Sequence, residues 1–351
     1  MKVFNHNQPF EMESGRILPG FHLAYTTHGK LNAAKDNVVW IFHALTANSN
    51  PVEWWPGLVG EGKYFDPAKY FIICVNKPGS PYGSISPLSK NPLTNQPYYE
   101  KFPVFTIRDM IRTYQHLKEF LGIKKVFIGL GGSTGGMQLL EWAIEEPELF
   151  EYIIPIASNA VLSPWGIAFN ASQRMVIEAD NTWQDHHQDA GQKGLAAARS
   201  IALLSYRHYN GYEITQSRDK AFVPLNEEVI YAADNYQRYQ GLKLVNRFNA
   251  LCYYRLSQSM DSHDVGRNRK GVEKALKTIK AKTLVIGISS DVLYPITEQE
   301  YLQKIIPGAQ LLTIHSDYGH DGFLLEYEKI EAALKLFIDD KKSSHLKIVN
   351  Q

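Results

Sequence analysis

The segment Gly131-Gly132-Ser133-Thr134-Gly135 lies between an apolar run, Lys125 to Leu130, that reads as a strand and a run from Gly136 to Ile144 that reads as a helix. Few folds accept such a joint. A strand that turns at once into a helix needs glycine on both sides, so that the two backbones can pass closely while the residue at the apex is pushed into the open. With Ser133 at that apex the segment reads as a nucleophile elbow, and Ser133 is the candidate covalent catalyst. The bare pattern G-x-S-x-G turns up by chance in roughly one chain in ten of this length, so its weight comes from the flanking strand and helix.

A nucleophilic serine needs a base to take its proton and an acid to hold that base in the correct tautomer. Around an elbow of this kind the chain order is Ser, then Asp or Glu past a late strand, then His on a loop near the C-terminus. Thr283 to Ile288 reads as such a strand and runs into Ser289-Ser290-Asp291, with a helix-like stretch from Thr297. Gln310 to Ile314 reads as one more strand. The loop Ser316 to Gly322 follows, carrying His320, before a helix from Phe323 to about Asp339. Asp291 and His320 are therefore the expected acid and base. Among the alternatives, His315 ends a strand, His186 and His187 sit in a polar run, and His263 lies in an insert without a matching nucleophile. Asp317 competes with Asp291, but it shares the loop with His320 and would have to fold back upon it.

Acyl transfer also needs two hydrogen-bond donors for the oxyanion, one from the residue after the nucleophile and one from the loop after an early strand. Thr134 supplies the first amide. Val38 to Phe42 reads as the early strand and leads into His43-Ala44-Leu45-Thr46-Ala47-Asn48, so the amide of Leu45 is the expected second donor.

Strand and helix alternate to about residue 160, which argues for a mostly parallel sheet covered on both faces. Tyr70 to Val75 and Tyr152 to Ala157 read as strands. Ile107, Met110, Ile111, Tyr114, Leu117 and Leu121 recur at helical steps, with Gly122 as a stop. The sheet pattern then lapses from about Ser163 to Lys280. Gly191 to Tyr209 and Val229 to Asp261 carry helical spacing, and the sheet resumes at Thr283. The expected organisation is a core of residues 1–162 and 281–351 with a helical cap, residues 163–280, inserted as a lid over the nucleophile.

Composition limits the partners. The 351 residues are 44% hydrophobic and carry 37 basic against 36 acidic side chains, a balance that suggests neither nucleic acid nor an anionic membrane. Cys74 and Cys252 are the two cysteines, one in a strand-like and one in a helix-like run, so no disulfide framework is expected and a reducing compartment is favoured. The first residues contain no apolar stretch of signal-peptide type, and no run approaches the roughly 18 to 20 apolar residues of a membrane span. A cytoplasmic enzyme is expected, with residues from Asp339 to Gln351 as a frayed polar tail. No phosphate loop and no metal-ligand spacing is present, so no metal is expected.

These residues place the chain in recognisable company. It resembles the homoserine O-acetyltransferases, acyltransferases of the α/β-hydrolase fold, at His-Ala-Leu-Thr (43–46), Tyr-Gly-Ser (82–84), Phe-Pro-Val-Phe-Thr-Ile-Arg-Asp (102–109) and Gly-Gly-Ser-Thr-Gly-Gly-Met-Gln (131–138). The likeness continues through the cap at Gly194 to Ala202, Tyr206-Arg207, Tyr239-Gln240-Gly241, Arg247 to Ala250, Met260 to Asp264 and Gly319 to Leu324. Because pieces of cap and core both match, the resemblance is more specific than a shared elbow.

The resemblance implies an α/β-hydrolase fold with an inserted helical cap, and ping-pong transfer of acetyl from acetyl-CoA to the hydroxyl of L-homoserine through acyl-Ser133. Acetyl-CoA is then a co-substrate, and no permanently bound cofactor is implied. Homoserine is a zwitterion, and its buried site should offer a guanidinium and a carboxylate. The resemblance assigns these roles to Arg199 and Asp321, with Tyr206 helping to hold the substrate carboxylate and Thr46 among the substrate-binding residues. Read without the resemblance, Arg199 is a surface helix arginine and Asp321 a helix N-cap. The resemblance also implies a homodimer with its caps in contact.

Two departures from the family pattern stand out. Thr134 occupies a position where Met is usual, and Asn76-Lys-Pro-Gly-Ser-Pro-Tyr82 replaces a more usual Asn-Val-Leu-Gly stretch, in a loop (77–87) expected to line the acyl or CoA pocket. Related activities are a succinyl donor, serine as acceptor, and plain carboxylester hydrolysis. A hydrolase would keep Ser133, Asp291 and His320 and have no use for Arg199 and Asp321. A non-catalytic relative would be expected to have lost one of the three, and none is lost.

Overall fold

Five strands are buried along almost their whole length, a pattern that suits only a sheet covered on both faces. They are the central members of a larger set: β1 (Lys2–His6), β2 (Phe10–Glu11), β3 (Ile17–Leu18), β4 (Phe21–His28), β5 (Val38–Phe42), β6 (Phe71–Val75), β7 (Val126–Gly132), β8 (Phe150–Ile156), β9 (Lys282–Ile288) and β10 (Gln310–Ile314). The computed structural model describes residues 1–218 and 231–339. Among these, eight strands form one sheet in the order β1-β4-β6-β5-β7-β8-β9-β10, and β2 pairs with β3 apart from it. From β6 to β10 every pairing is parallel, while β4 joins both β1 and β6 antiparallel.

Alternate residues of β5 show how the layers form: Trp40 and Phe42 point into one core with Tyr114 and Trp142, and Val39 and Ile41 into the other with Phe323 and Ile330. Helices α1 (Pro51–Trp54), α2 (Ile107–Phe120) and α3 (Thr134–Glu145) belong to this core. Helix α2 starts at a capping box, with Thr106 Oγ1 accepting from the Asp109 amide at 3.0 Å and Asp109 Oδ2 from the Thr106 amide at 3.1 Å. Helix α3 is anchored by buried charge: Glu141 accepts from Arg108 Nε at 2.6 Å and from Arg269 Nη2 at 2.5 Å.

Between β8 and β9 lie α4 (Pro164–Glu178), α5 (Gln192–Tyr206), α6 (Tyr209–Thr215), α7 (Ala232–Val245), α8 (Ala250–Asp261) and α9 (Val272–Leu276). The helical spacing expected over 229–261 divides in two because Asn249 caps a fresh helix, its side chain accepting from the Cys252 amide at 3.1 Å; positions 229 and 230 lie outside the described residues. Helix α4, for which no helical pattern was read, carries its own signal in Ser163, whose hydroxyl accepts from the Gly166 amide at 3.2 Å, and in Pro164 at the first turn.

After β9 come α10 (Ile296–Ile305), β10, α11 (Gly322–Leu325) and α12 (Tyr327–Leu334). The single helix expected over 323–339 is thus broken at Glu326, where ψ is 40°, and it ends in a π turn over Lys335–Asp339. The bend brings the Tyr327 ring down onto Gly57, where even a Cβ would lie 2.2 Å from it. The expected polar tail beyond Asp339 lies outside the described residues. Among those described, no helix is long and apolar enough to cross a membrane, and both cysteines are buried and free.

Gly135 is where β5 and the elbow meet. A Cβ there would sit 2.1 Å from the carbonyl oxygen of Phe42, a contact with backbone that cannot be relieved by a rotamer change. Gly135→Ala should therefore force α3 away from β5 at a cost of about 3 kcal/mol, the upper end for overpacking a core. A thermal melt showing an unchanged midpoint would contradict this.

Candidate active site

The elbow is strained as its sequence demands. Ser133 has φ 57° and ψ −126°, a region that non-glycine residues rarely occupy, and the conformation is held by its amide donating to Ile156 O at 2.9 Å and its carbonyl accepting from the Gly136 amide at 2.9 Å. Local energy stored at one residue is tolerated where strand β7 and helix α3 fix both ends.

Beyond β9, Asp291 is 4% exposed and locked by its own loop, Oδ1 accepting from the amides of Leu293 at 2.8 Å and Tyr294 at 2.9 Å. Its other oxygen, Oδ2, lies 2.6 Å from His320 Nδ1. The two loops are tied together: Ser290 Oγ donates to Ser316 O and accepts from the Gly319 amide at 3.1 Å. Gly319 takes φ 63°, and a Cβ there would lie 2.9 Å from Tyr206 O, so glycine is what lets the histidine loop press against the end of α5.

His320 is 2% exposed and boxed by aromatic rings, with Tyr294 at 5.1 Å, Phe323 at 5.3 Å and Tyr206 at 5.7 Å between centroids. Burial alone would lower its affinity for a proton; the Asp291 carboxylate, and then that of Asp321, outweigh burial and raise it above the ordinary histidine value. With Nδ1 committed to Asp291, Nε2 is the nitrogen available to a nucleophile. Burial pushes the Tyr294 phenol well above its ordinary range.

One cavity of about 520 Å³ is lined by Leu45, Thr46, Ser133, Arg199, Tyr206, His320 and Asp321, all seven named from the sequence. Asp291 stands behind His320, and Thr134 opens α3 beside Ser133 with its backbone N–H at the first helical position, where no intrahelical partner exists. Among the described residues neither the Thr134 amide nor the Leu45 amide donates a hydrogen bond within the chain, which leaves both free for an oxyanion.

The alternatives of the sequence stand elsewhere. His263 is a core histidine bonded to Asn159 O at 2.8 Å, His186 and His187 are exposed beside Glu100 and Asp189, and exposed His315 offers its carbonyl to Lys329 at 2.7 Å. Asp317 faces Asn210 at 3.3 Å rather than folding back on His320.

Several lining residues had no role assigned from the sequence. Arg207 Nη1 pairs with Asp321 Oδ2 at 3.3 Å, and Arg247 Nη1 donates to Thr46 O at 2.5 Å and to Tyr82 Oη at 2.9 Å. Lys243 adds a further cation at the wall. Of the loop 77–87, expected to line the pocket, Tyr82 alone does so. Arg199 lies with its guanidinium carbon 5.4 Å from the Tyr206 ring centroid, half-buried rather than on the outer surface. A strained serine, a histidine held by a buried carboxylate and two unused amides can form and break an acyl ester.

A family model described as alpha/beta hydrolase fold matches residues 37–327, and the chain has the fold and the elbow of that class of enzymes. A homoserine O-acetyltransferase of Cyclobacterium marinum is 48% identical over 341 residues, which cover 96% of this chain and 94% of that protein. The chain belongs to the homoserine O-acetyltransferase family of acyltransferases. Among solved structures, homoserine O-acetyltransferase from Bacillus anthracis matches with a TM-score of 0.87 over 98% of each chain at 25% identity. The acetyl esterase MekB matches with a TM-score of 0.83 over 96% of each chain, also at 25% identity.

Proposed function

We propose that this enzyme transfers acetyl from acetyl-CoA to the hydroxyl of L-homoserine through an acyl-Ser133 intermediate, a step of methionine biosynthesis. The observation that carries the reading is the cavity in which Ser133 and the buried His320 share walls with Arg199 and Asp321, a cation and an anion that a simple ester would not need.

Ser133 Oγ attacks the thioester carbonyl while His320 Nε2 takes its proton, and the Leu45 and Thr134 amides hold the oxyanion. Collapse breaks the carbon–sulfur bond, and His320 returns the proton to the departing CoA thiolate. Homoserine then enters with its carboxylate on Arg199, beside Tyr206 and Thr46, and its ammonium on Asp321. His320 removes the hydroxyl proton, the oxygen attacks the acyl ester, and O-acetylhomoserine leaves with Ser133 reprotonated. The cations Lys243 and Arg247 at the wall suit the phosphates of CoA. Helices of the 163–280 insertion act as a lid that keeps water, the competing nucleophile, from the acyl ester. The enzyme acts in the cytoplasm as a homodimer whose caps meet.

The test is free-CoA release from acetyl-CoA and succinyl-CoA, each with L-homoserine, L-serine or no acceptor. Release that requires acetyl-CoA and homoserine supports the reading; a succinyl or serine preference relocates it within the family. Acceptor-independent release favours the second reading, acetyl-ester hydrolysis, which the likeness to an acetyl esterase keeps in play. Arg199→Ala should raise KM for homoserine by about 100-fold, the worth of roughly 3 kcal/mol for a charge-assisted contact, with KM for acetyl-CoA changed little. Equal activity of variant and wild type on homoserine would remove Arg199 from the site.

A further inference from the structure

Lys77 is 2% exposed and among the described residues has no carboxylate partner, an expensive place for an ammonium unless its three N–H groups are satisfied. They are: Nζ donates to His43 O at 2.9 Å, Ala44 O at 3.1 Å and Thr134 Oγ1 at 3.1 Å. These acceptors are not arbitrary. The Ala44 carbonyl belongs to the same peptide group as the Leu45 N–H, so a charged donor on its oxygen polarises that amide and makes it a stronger donor in turn. Thr134 carries the opposite amide. The side chain of Lys77 does not line the cavity.

We propose that Lys77 is a positioning residue of the oxyanion hole, fixing the separation of the Leu45 and Thr134 amides and polarising the former, so that its charge speeds acylation of Ser133 without touching substrate. The inference rests on the acyl-transfer reading given above. Among the described residues, the titratable groups facing Lys77 are neutral near pH 7: burial, then Lys77 itself, hold His43 on the loop after β5 well below the usual histidine range, and burial raises the Cys74 thiol on β6 to about 12. Burial also brings Lys77 down to about 7. An ammonium satisfies all three oxygens, whereas the neutral amine has two N–H groups. Acylation should therefore fall as pH rises through the Lys77 ionisation.

The experiment compares wild type with Lys77→Met, measuring acetylation of Ser133 by rapid quench from acetyl-CoA and from p-nitrophenyl acetate across pH, together with KM for homoserine and the melting temperature. Lys77→Met should lower kcat/KM for both acetyl donors about 10- to 100-fold, less than outright loss of an oxyanion donor, and abolish the alkaline fall, with KM for homoserine unchanged. Rates within twofold of wild type, or an alkaline fall that persists, would overturn the proposal. Should Lys77→Met not fold, Thr134→Val removes one acceptor alone. It should slow acylation and move the alkaline fall to lower pH, and no change in either overturns the proposal. The p-nitrophenyl ester separates the two ideas: wild type that acetylates Ser133 from it yet ignores homoserine sinks the acceptor assignment and leaves the Lys77 test standing.

Discussion

Ser133→Ala should lose acyl transfer altogether, with kcat down by about 10⁶, the scale seen when the nucleophile of a serine-histidine-aspartate set is removed. Other hydroxyls face the same cavity, on Thr46, Tyr82 and Tyr206, but Thr46 Oγ1 and Tyr82 Oη are engaged by Arg247, and burial drives the Tyr206 phenol upward. None is presented at the strained apex of an elbow. Alanine keeps the Cβ, so the φ of 57° and the backbone bonds that hold it are unchanged, and the melting temperature should stay within a few degrees of wild type. Mass spectrometry of protein mixed with acetyl-CoA alone checks both halves of the claim. Wild type should gain one acetyl group on the peptide containing residue 133, and the variant none. An acetyl group found on another residue, or turnover that survives, would remove Ser133 from the mechanism.

How early the site could be read depended on whether a residue's role is written locally. Ser133 announces itself because a strand, two glycines and a helix must coincide around it, and Asp291 and His320 because each follows a mostly apolar strand. Strand β10 is bounded as the sequence suggested, and β7 continues two residues further, to Gly132, because the elbow glycines still pair with β8. The antiparallel pair β1 and β4 was missed: β1 is largely exposed and β4 is polar in its second half, so neither gives the apolar run that marks the central strands. The roles of Lys77, Arg207, Arg247 and Tyr294 were hidden for a different reason. Each acquires its role from a partner far along the chain, as Arg247 does from Thr46, and a single polar residue in a loop or cap helix carries no periodicity that would betray the contact. Lys77 and Thr134 had stood out separately as unusual; only folding makes them one hydrogen bond.

Asp291→Asn should lower kcat by about 10⁴ while leaving the fold intact, the magnitude expected when the orienting acid becomes an amide and the histidine is held in the wrong tautomer. The geometry explains why. Asp291 Oδ1 is already taken by the amides of Leu293 and Tyr294, so an asparagine would keep its carbonyl there and turn its NH₂ toward His320 Nδ1. That nitrogen would then have to accept, and the imidazole proton would move to Nε2, the atom that must receive the proton of Ser133. A second consequence concerns pH. Neutral His320 is the competent form, so activity rises with pH through its ionisation, and in wild type that rise lies above the ordinary histidine value because the Asp291 and Asp321 carboxylates outweigh burial. With Asp291 neutralised, burial gains the upper hand and the rise should move to lower pH. The maximum of its pH profile should stay some 10⁴-fold below that of wild type, because deprotonation does not correct the tautomer. Stopped-flow acetylation by acetyl-CoA across pH resolves the two effects. A variant that reaches the wild-type maximum at any pH would show that Asp291 acts through charge alone, and one with an unmoved acid limb would show that another carboxylate holds His320.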